Sequence, residues 1–262
     1  MVKAKKSLGQ HFLRSEKALL DIVHASCIEK GDMVLEIGPG EGVLTERLIK
    51  EGALVTAVEK DDHLYLKLKD RFAKEIKEKK LKLVHGDIIE VAHSLHLKRG
   101  KYKLVANIPY YLTGIIVRTF ISYSLLPQRT VLLVQKEVAE RAIAKGGKQS
   151  VLSVMLGLFG SSIIISTVKR GSFAPAPTVD SSILCIWPHK KSFIKNTEHE
   201  YKCAAFVKTA FAHKRKLMER NLDDLVEKEI LLESLEEIGV GKNARAEDLK
   251  IDQWMSVLEK LI

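Results

Sequence analysis

The stretch Met33-Val34-Leu35-Glu36-Ile37-Gly38-Pro39-Gly40-Glu41-Gly42-Val43-Leu44-Thr45 decides the fold. The apolar run Met33–Ile37 reads as a buried strand, the three glycines as a sharp turn, and Val43–Lys50 has the spacing of a helix. A strand, a glycine-rich turn and a helix in that order open an α/β unit. Glycine lets the backbone bend tightly and lets a ligand approach the helix N-terminus with no Cβ in the way. Such a loop also reads as a plain tight turn. The spacing argues against a nicotinamide or flavin dinucleotide: Gly-x-Gly-x-x-Gly wants glycine at position 43, where this chain has Val43, and the third glycine is Gly42.

Outward from that unit, further runs rich in Val, Ile and Leu lie at Leu54–Val58, Leu81–Val84, Lys103–Ala106, Thr130–Val134, Ser162–Val168 and Ser182–Trp187. Helix-period segments such as His63–Lys77 and Lys136–Ala144 separate most of them, which predicts a seven-stranded, mostly parallel sheet covered on both faces. The last two runs are joined by a proline-containing loop without a helix and are expected to close the sheet as an antiparallel pair. Past Trp187-Pro188-His189 no strand run follows, and His199–Ala212, Asp224–Ile238 and Asp252–Leu261 read as amphipathic helices. The expected division is therefore 1–189 for the α/β domain and 190–262 for a small helical subdomain. Gln149 to Val168 carries no charge and approaches membrane-spanning length, but Gly160-Ser161-Ser162 breaks it into a buried helix and a strand.

The 262 residues are 46% hydrophobic and 29% charged, the composition of a folded globular chain and not of a disordered one. Lysine and arginine number 43 against 33 aspartates and glutamates. The excess is concentrated in the first two-thirds of the chain and points to a polyanionic partner. Three widely spaced cysteines, Cys27, Cys185 and Cys203, give neither a disulfide framework nor a Cys-x-x-Cys metal site, so a reducing, cytoplasmic setting without structural metal is expected. The charged amino end lacks the apolar stretch of a secretory signal, and no heptad pattern calls for anything beyond a monomer.

Three strand ends carry acceptors. Glu59 ends the second strand, where a carboxylate can take both hydroxyls of a ribose, and Asp87 follows the third, placed either to receive an adenine amine or to cap the next turn of helix. The fourth strand runs into Asn107-Ile108-Pro109-Tyr110-Tyr111. An adenine amino group is a poor nucleophile because its lone pair is delocalised into the ring. The Asn107 side-chain carbonyl and a backbone carbonyl of the Ile108-Pro109 region can accept its two hydrogens while Tyr110 stacks on the base.

With these motifs in place the chain resembles the small-subunit ribosomal RNA adenine N6-dimethyltransferases of the KsgA type, themselves related to the erythromycin-resistance rRNA methylases. The resemblance runs nearly end to end, through Lys6–Leu13, Glu36–Gly40, Asn107–Tyr110, Gln135–Arg141, Phe173–Ser181, Ala210–Lys216 and Ala244–Leu249. It implies a Rossmann-like class I methyltransferase fold and an S-adenosylmethionine site formed by Gln10, His11, Leu13, Gly38, Gly40, Glu59, Asp87 and Asn107. Where many relatives carry Asn, this chain carries His11. It further implies a catalytic pocket of Asn107, Pro109 and Tyr110, with Phe173 on the opposite face of the target base. The substrate implied is two adjacent adenines in a hairpin loop near the 3′ end of 16S RNA in the small ribosomal subunit, and a role in subunit assembly is compatible with it. Two basic clusters are expected to hold phosphates: Lys3, Lys5, Lys6 and Arg14 in an amino-terminal arm, and Lys214, Arg215, Lys216 and Arg220 in the tail.

Overall fold

A computed structural model describes residues 9–213 and 215–262. Lys3, Lys5, Lys6 and Lys214 fall outside them. In chain order the elements are β1 (Phe12–Leu13), α1 (Glu16–Ser26), β2 (Met33–Ile37), α2 (Val43–Lys50), β3 (Leu54–Glu59), α3 (Asp62–Arg71), α4 (Ala73–Lys77), β4 (Leu81–His85), α5 (Ile88–Val91), β5 (Lys103–Asn107), α6 (Thr113–Phe120), β6 (Arg129–Gln135), α7 (Lys136–Ala142), α8 (Val151–Phe159), β7 (Gly160–Val168), β8 (Phe173–Ala174), β9 (Ser181–Pro188), α9 (Thr197–Ala210), α10 (Met218–Leu222), α11 (Lys228–Glu237) and α12 (Ile251–Leu261).

All seven expected strands form, in one sheet of order β4-β3-β2-β5-β6-β9-β7. The first five run parallel, and β9 enters antiparallel to β6, with Thr130 opposite Ile186 and Gln135 opposite Ser181. Strand order reverses between β2 and β5, so the loops leaving their carboxyl ends diverge and open a crevice there. Val34, Val105, Val131, Leu133 and Ile183 form the inner surface against which Leu19, Ile22 and Leu48 of α1 and α2 pack. Burial of this aliphatic set holds the strand ends in register.

The chain divides into two compact units. The first runs up to Ile121 and adds Leu125–Ala139 and Ile163–Trp187; the second takes Ser122–Ser124, Glu140–Ser162 and Pro188–Ile262. The last passage between them falls beside the expected boundary near residue 189. The second unit also takes α8, which the linear reading had left in the α/β domain. The reason is local: nearly all of α8 is apolar, and it packs on α9 and α12. A reciprocal Ser150–Ser153 capping box starts α8 and Gly160 ends it, so the uncharged stretch is a nine-residue helix and a strand. Among the described residues no helix is long and apolar enough to cross a membrane.

Two helix expectations need correction. His63–Lys77 is not continuous: Phe72, at φ −106° and ψ 24°, interrupts it because its ring turns into the core. In Asp224–Ile238 only Lys228–Glu237 is α-helical. Phe72 also fixes the glycine loop, since Gly42 caps α2 at φ +82° and a Cβ there would lie 2.5 Å from the Phe72 ring and 2.8 Å from Leu68. Gly42→Ala should combine left-handed strain with overpacking and lower stability by roughly 2–4 kcal/mol; urea denaturation followed by circular dichroism measures it.

Candidate active site

The crevice is built from strand ends. Gly38 and Gly40 adopt φ +67° and +61°, and the Gly42 N–H donates to the Pro39 carbonyl to close the turn. At the end of β3, the Glu59 carboxylate is 5% exposed. Its Oε2 accepts from the Gly40 N–H at 3.1 Å and its Oε1 from the Asp61 N–H at 2.9 Å. Burial raises its pKa against the opposing pull of those donors. Asp61 in turn caps α3, accepting from the His63 and Leu64 N–H groups, and takes a hydrogen bond from Gln10 Nε2 at 3.3 Å.

Below the loop, Glu36 is fully buried in β2 and its Oε2 accepts from Thr45 Oγ1 at 2.6 Å. Burial pushes its pKa up to about 8, with the neighbouring Glu59 charge adding to the rise. Glu36 therefore stays largely protonated at neutral pH. Asp87 does cap the following helix, Oδ1 accepting from the Ile89 N–H at 2.9 Å, while Oδ2 pairs with Lys60 Nζ at 2.8 Å. The lysine and that N–H hold its pKa below the usual carboxylate range, against a smaller desolvation effect.

On the other side of the crevice, β5 delivers Asn107, whose Nδ2 donates to the His11 carbonyl at 3.4 Å, leaving Oδ1 as its acceptor end. The Pro109 carbonyl accepts from the Leu112 N–H in a 3-10 turn, so the backbone acceptor expected in this segment is the Ile108 carbonyl. Tyr110 is half-buried, with its hydroxyl 2.8 Å from Ser181 Oγ at the start of β9. Burial raises its pKa and keeps it a neutral phenol.

A strip from the amino end completes the wall. β1 pairs antiparallel with β8, Phe12 opposite Ala174 and Leu13 opposite Phe173. Nδ1 of His11 lies 2.8 Å from the Pro175 carbonyl. Arg14 pairs with Glu41 at 2.5 Å.

Gln10, His11, Leu13, Arg14, Gly38, Gly40, Glu59, Asp87, Asn107, Pro109, Tyr110 and Phe173 thus line one cleft in the first unit. Phe173 borders it from within the core, 5% exposed among Leu19, Ile22 and Ile183. Arg215, Lys216 and Arg220 are exposed in the second unit. The loop that carries Arg215 and Lys216 is tied by Asn221 of α10, whose Nδ2 donates to the Ala210 carbonyl at 2.8 Å and the His213 carbonyl at 3.2 Å. Sequence reasoning passed over Glu36, Asp61, Ser181 and Asn221 as supports. Glu36 and Ser181 sit inside motifs quoted above, but nothing in a linear pattern shows which hydroxyl or amide a side chain reaches. Among the described residues no group of three or more His, Cys, Asp or Glu side chains is placed to hold a metal.

Sheet order, antiparallel β9, glycine turn and acid-bearing strand ends define an α/β methyltransferase of the Rossmann-like kind. Comparisons with known proteins agree and narrow it. Over 94% of its length the chain matches a crystal structure of a dimethyladenosine transferase from Plasmodium falciparum (TM-score 0.78, 27% identity, 96% of that chain). It shares the fold of the 23S rRNA methyltransferase ErmE (TM-score 0.76, 24% identity), covering 95% of this chain and 99% of that one. It is 35% identical to the ribosomal RNA small subunit methyltransferase A of Thermosynechococcus vestitus over the whole chain and 98% of that protein. The protein of the same name from Lactobacillus acidophilus is 38% identical over 99% of this chain and 92% of its own length. The family model for ribosomal RNA adenine dimethylase matches residues 1–262, and the chain belongs to that family.

The raised Glu36 pKa makes a testable prediction. A carboxyl whose folded pKa of about 8 exceeds its unfolded value of 4.5 contributes stability that is complete below pH 4.5 and is lost as pH rises through 8. Glu36→Gln, which keeps the shape without the titration, should flatten the loss of stability between pH 5 and 9. Urea melts of the two proteins across that range provide the check.

Proposed function

We propose that the chain transfers methyl groups from S-adenosylmethionine to N6 of two adjacent adenines in a hairpin loop near the 3′ end of small-subunit 16S RNA, giving N6,N6-dimethyladenosine. The observation that carries this reading is Asn107-Ile108-Pro109-Tyr110 opening from the end of β5 onto the same cleft as Glu59 and the glycine turn. The names of the curated relatives support the small subunit as the target.

The cleft suits the donor. Glu59 presents a buried carboxylate to a ribose, Gly38 and Gly40 leave the turn bare of side chains, and Ile37, Val58 and Ile88 offer an apolar surface to an adenine ring. The Asp87 carboxylate, held by Lys60 and the Ile89 N–H, would accept that adenine's amine. Gln10, His11 and Leu13 close the site from the amino end. When bound, the donor supplies an electrophilic methyl on a sulfonium.

The protein's part is positioning. Asn107 Oδ1 and the Ile108 carbonyl accept the two amino hydrogens of the target adenine, which turns the nitrogen lone pair out of the ring plane and toward the methyl. Pro109, at φ −54°, fixes the backbone between these acceptors and Tyr110. Tyr110, tethered through Ser181, stacks on the base, and buried Phe173 backs the cleft. The proton leaves after attack from a cationic amine that is strongly acidic, so no side-chain nucleophile or metal is required. A base in a loop leaves its stack more cheaply than one in a duplex.

RNA affinity comes from phosphate contacts by Lys3, Lys5, Lys6 and Arg14 and by Lys214, Arg215, Lys216 and Arg220, on a cytoplasmic monomer that also assists subunit assembly. Unmethylated small subunits incubated with labelled donor should yield label in N6,N6-dimethyladenosine after digestion to nucleosides; label elsewhere, or none, would refute the reading. Asn107→Ala should lower kcat by about 100-fold or more while leaving subunit binding in place. Alanine at Lys214, Arg215 and Lys216 together should weaken subunit binding in a salt-dependent way and spare donor affinity, measured by filter binding at two ionic strengths.

A further inference from the structure

We infer that the groove between the glycine turn and α3 holds the phosphate backbone of the RNA strand flanking the target adenine, with Lys67 and Arg71 as its contacts. This deepens the adenine-methylation reading above and rests on it. The stretch from Lys67 to Lys82 carries eight lysines and arginines against three acids, half of the chain's net surplus of ten. Neither the amino-terminal arm nor the tail cluster includes it, and all eight cations are exposed. A charged ridge alone is an ordinary solvated surface. Its amino-terminal end differs because it borders a groove with a floor of Val43, Leu64 and Leu68 and a rim of Arg14, Lys67 and Arg71. Gly40, Val43 and Leu64 also line the catalytic cleft, so the groove opens out of it within the first unit. The polyanion that reaches such a groove is the one whose base enters the cleft.

The two cations are held differently. Arg71 is fixed: Nη1 donates to the Glu41 carbonyl, Nη2 donates to Glu46 Oε2 at 2.6 Å, and the guanidinium lies over the Phe72 ring, 5.1 Å from its centroid. A guanidinium has five N–H donors, so these bonds leave others for a phosphate oxygen while setting the plane in advance. Lys67 is the surplus charge. Arg14 answers Glu41, Lys50 and Arg71 answer Glu46, and Lys74 and Lys80 share Glu78, whereas Lys67 forms no ion pair among the described residues. Val43, 37% exposed on the floor, offers an apolar surface to a sugar. An apolar floor between a fixed and a mobile cation suits a phosphodiester, whose binding releases counterions and needs no base-specific contact.

The test compares Lys67→Gln, which removes the unpaired charge, with Lys67→Arg, which keeps it, and with Lys77→Gln, which removes an equal charge from the same ridge outside the groove. Circular dichroism verifies folding, and calorimetry with S-adenosylmethionine gives donor affinity. Filter binding to unmethylated small subunits at fixed magnesium, from about 50 to about 200 mM potassium chloride, gives the salt dependence of affinity. Lys67→Gln should weaken binding roughly fivefold at the low-salt end and lower the slope of log affinity against log salt by about 0.7, with donor affinity changed less than about twofold. Lys67→Arg and Lys77→Gln should both stay within about twofold of the parent. The photo-crosslinker p-benzoylphenylalanine in place of Lys67 should join RNA within the target hairpin, mapped by reverse-transcription stops, and the same group in place of Lys77 should not. Equal losses in Lys67→Gln and Lys77→Gln would overturn the groove by making the ridge a diffuse field. An unchanged slope in Lys67→Gln would also overturn it, as would a crosslink from position 67 to a subunit protein or to RNA outside the hairpin. If the parent protein itself methylates no adenine, the broader reading falls and this one with it; a fully active parent with an indifferent Lys67→Gln removes this one alone.

Discussion

The cleft depends on one buried carboxylate. Glu59 takes the Gly40 N–H on one oxygen and the Asp61 N–H on the other, joining the turn after β2 to the turn after β3. Two loops leaving neighbouring parallel strands have no ladder bonds to each other, so without such a bridge their geometry would be set only by packing at their ends. The arrangement costs desolvation, visible in the raised pKa of Glu59, and the two backbone donors offset part of that cost. Glu36, one strand over, faces the same difficulty with Thr45 as its donor and yields further, up to about 8. Keeping Glu36 mainly neutral avoids crowding two full negative charges under a single glycine turn.

From Glu59 the order spreads through Asp61, which caps α3 and takes the Gln10 amide, to the segment that forms β1. That segment is only two residues of strand, too little to stand alone. It is fastened by pairing with β8, by the Arg14 N–H to the Ser172 carbonyl at 2.7 Å, and by His11 at Pro175. The Asn107 amide reaches back to the His11 carbonyl, so the wall on the β5 side and the amino-terminal strip support each other. A reaction that proceeds by alignment needs this kind of cross-bracing more than it needs reactive groups, because small displacements of acceptors are costly when positioning supplies the rate.

Much of the scaffold was legible because its signals are local. The β2 and α2 boundaries follow directly from an apolar run, three glycines and a helical period. The β8 pairing and α1 were not anticipated, since a two-residue strand has no periodicity and α1 begins at a serine cap that a linear reading did not weigh. Asp87 shows the limit of motif reasoning: helix cap and ligand acceptor were alternatives in sequence, and the geometry has it capping with one oxygen and ion-pairing with the other. His63–Lys77 failed because Phe72 serves the core instead of the helix. Side-chain partners such as Ser181 for Tyr110, separated by 71 positions, have no linear signature at all.

The tail motifs divide by the same logic. Ala244–Leu249 carries part of the family resemblance, and its backbone is occupied structurally: the Arg245 N–H donates to Asp248 Oδ2, the Ala246 carbonyl takes the indole of fully buried Trp254, and the Glu247 carbonyl takes the Gln149 N–H. Lys148 pairs with Glu247 and Asp248 on the outside. The segment is the joint that fastens the loop before α8 to α12. The basic loop after α9 differs, because Asn221 satisfies its backbone carbonyls from the inside and leaves Arg215 and Lys216 exposed. Desolvating a guanidinium or ammonium without a partner is expensive, so the cations of this loop stay in solvent, whereas the charges around Asp248 are answered within the fold.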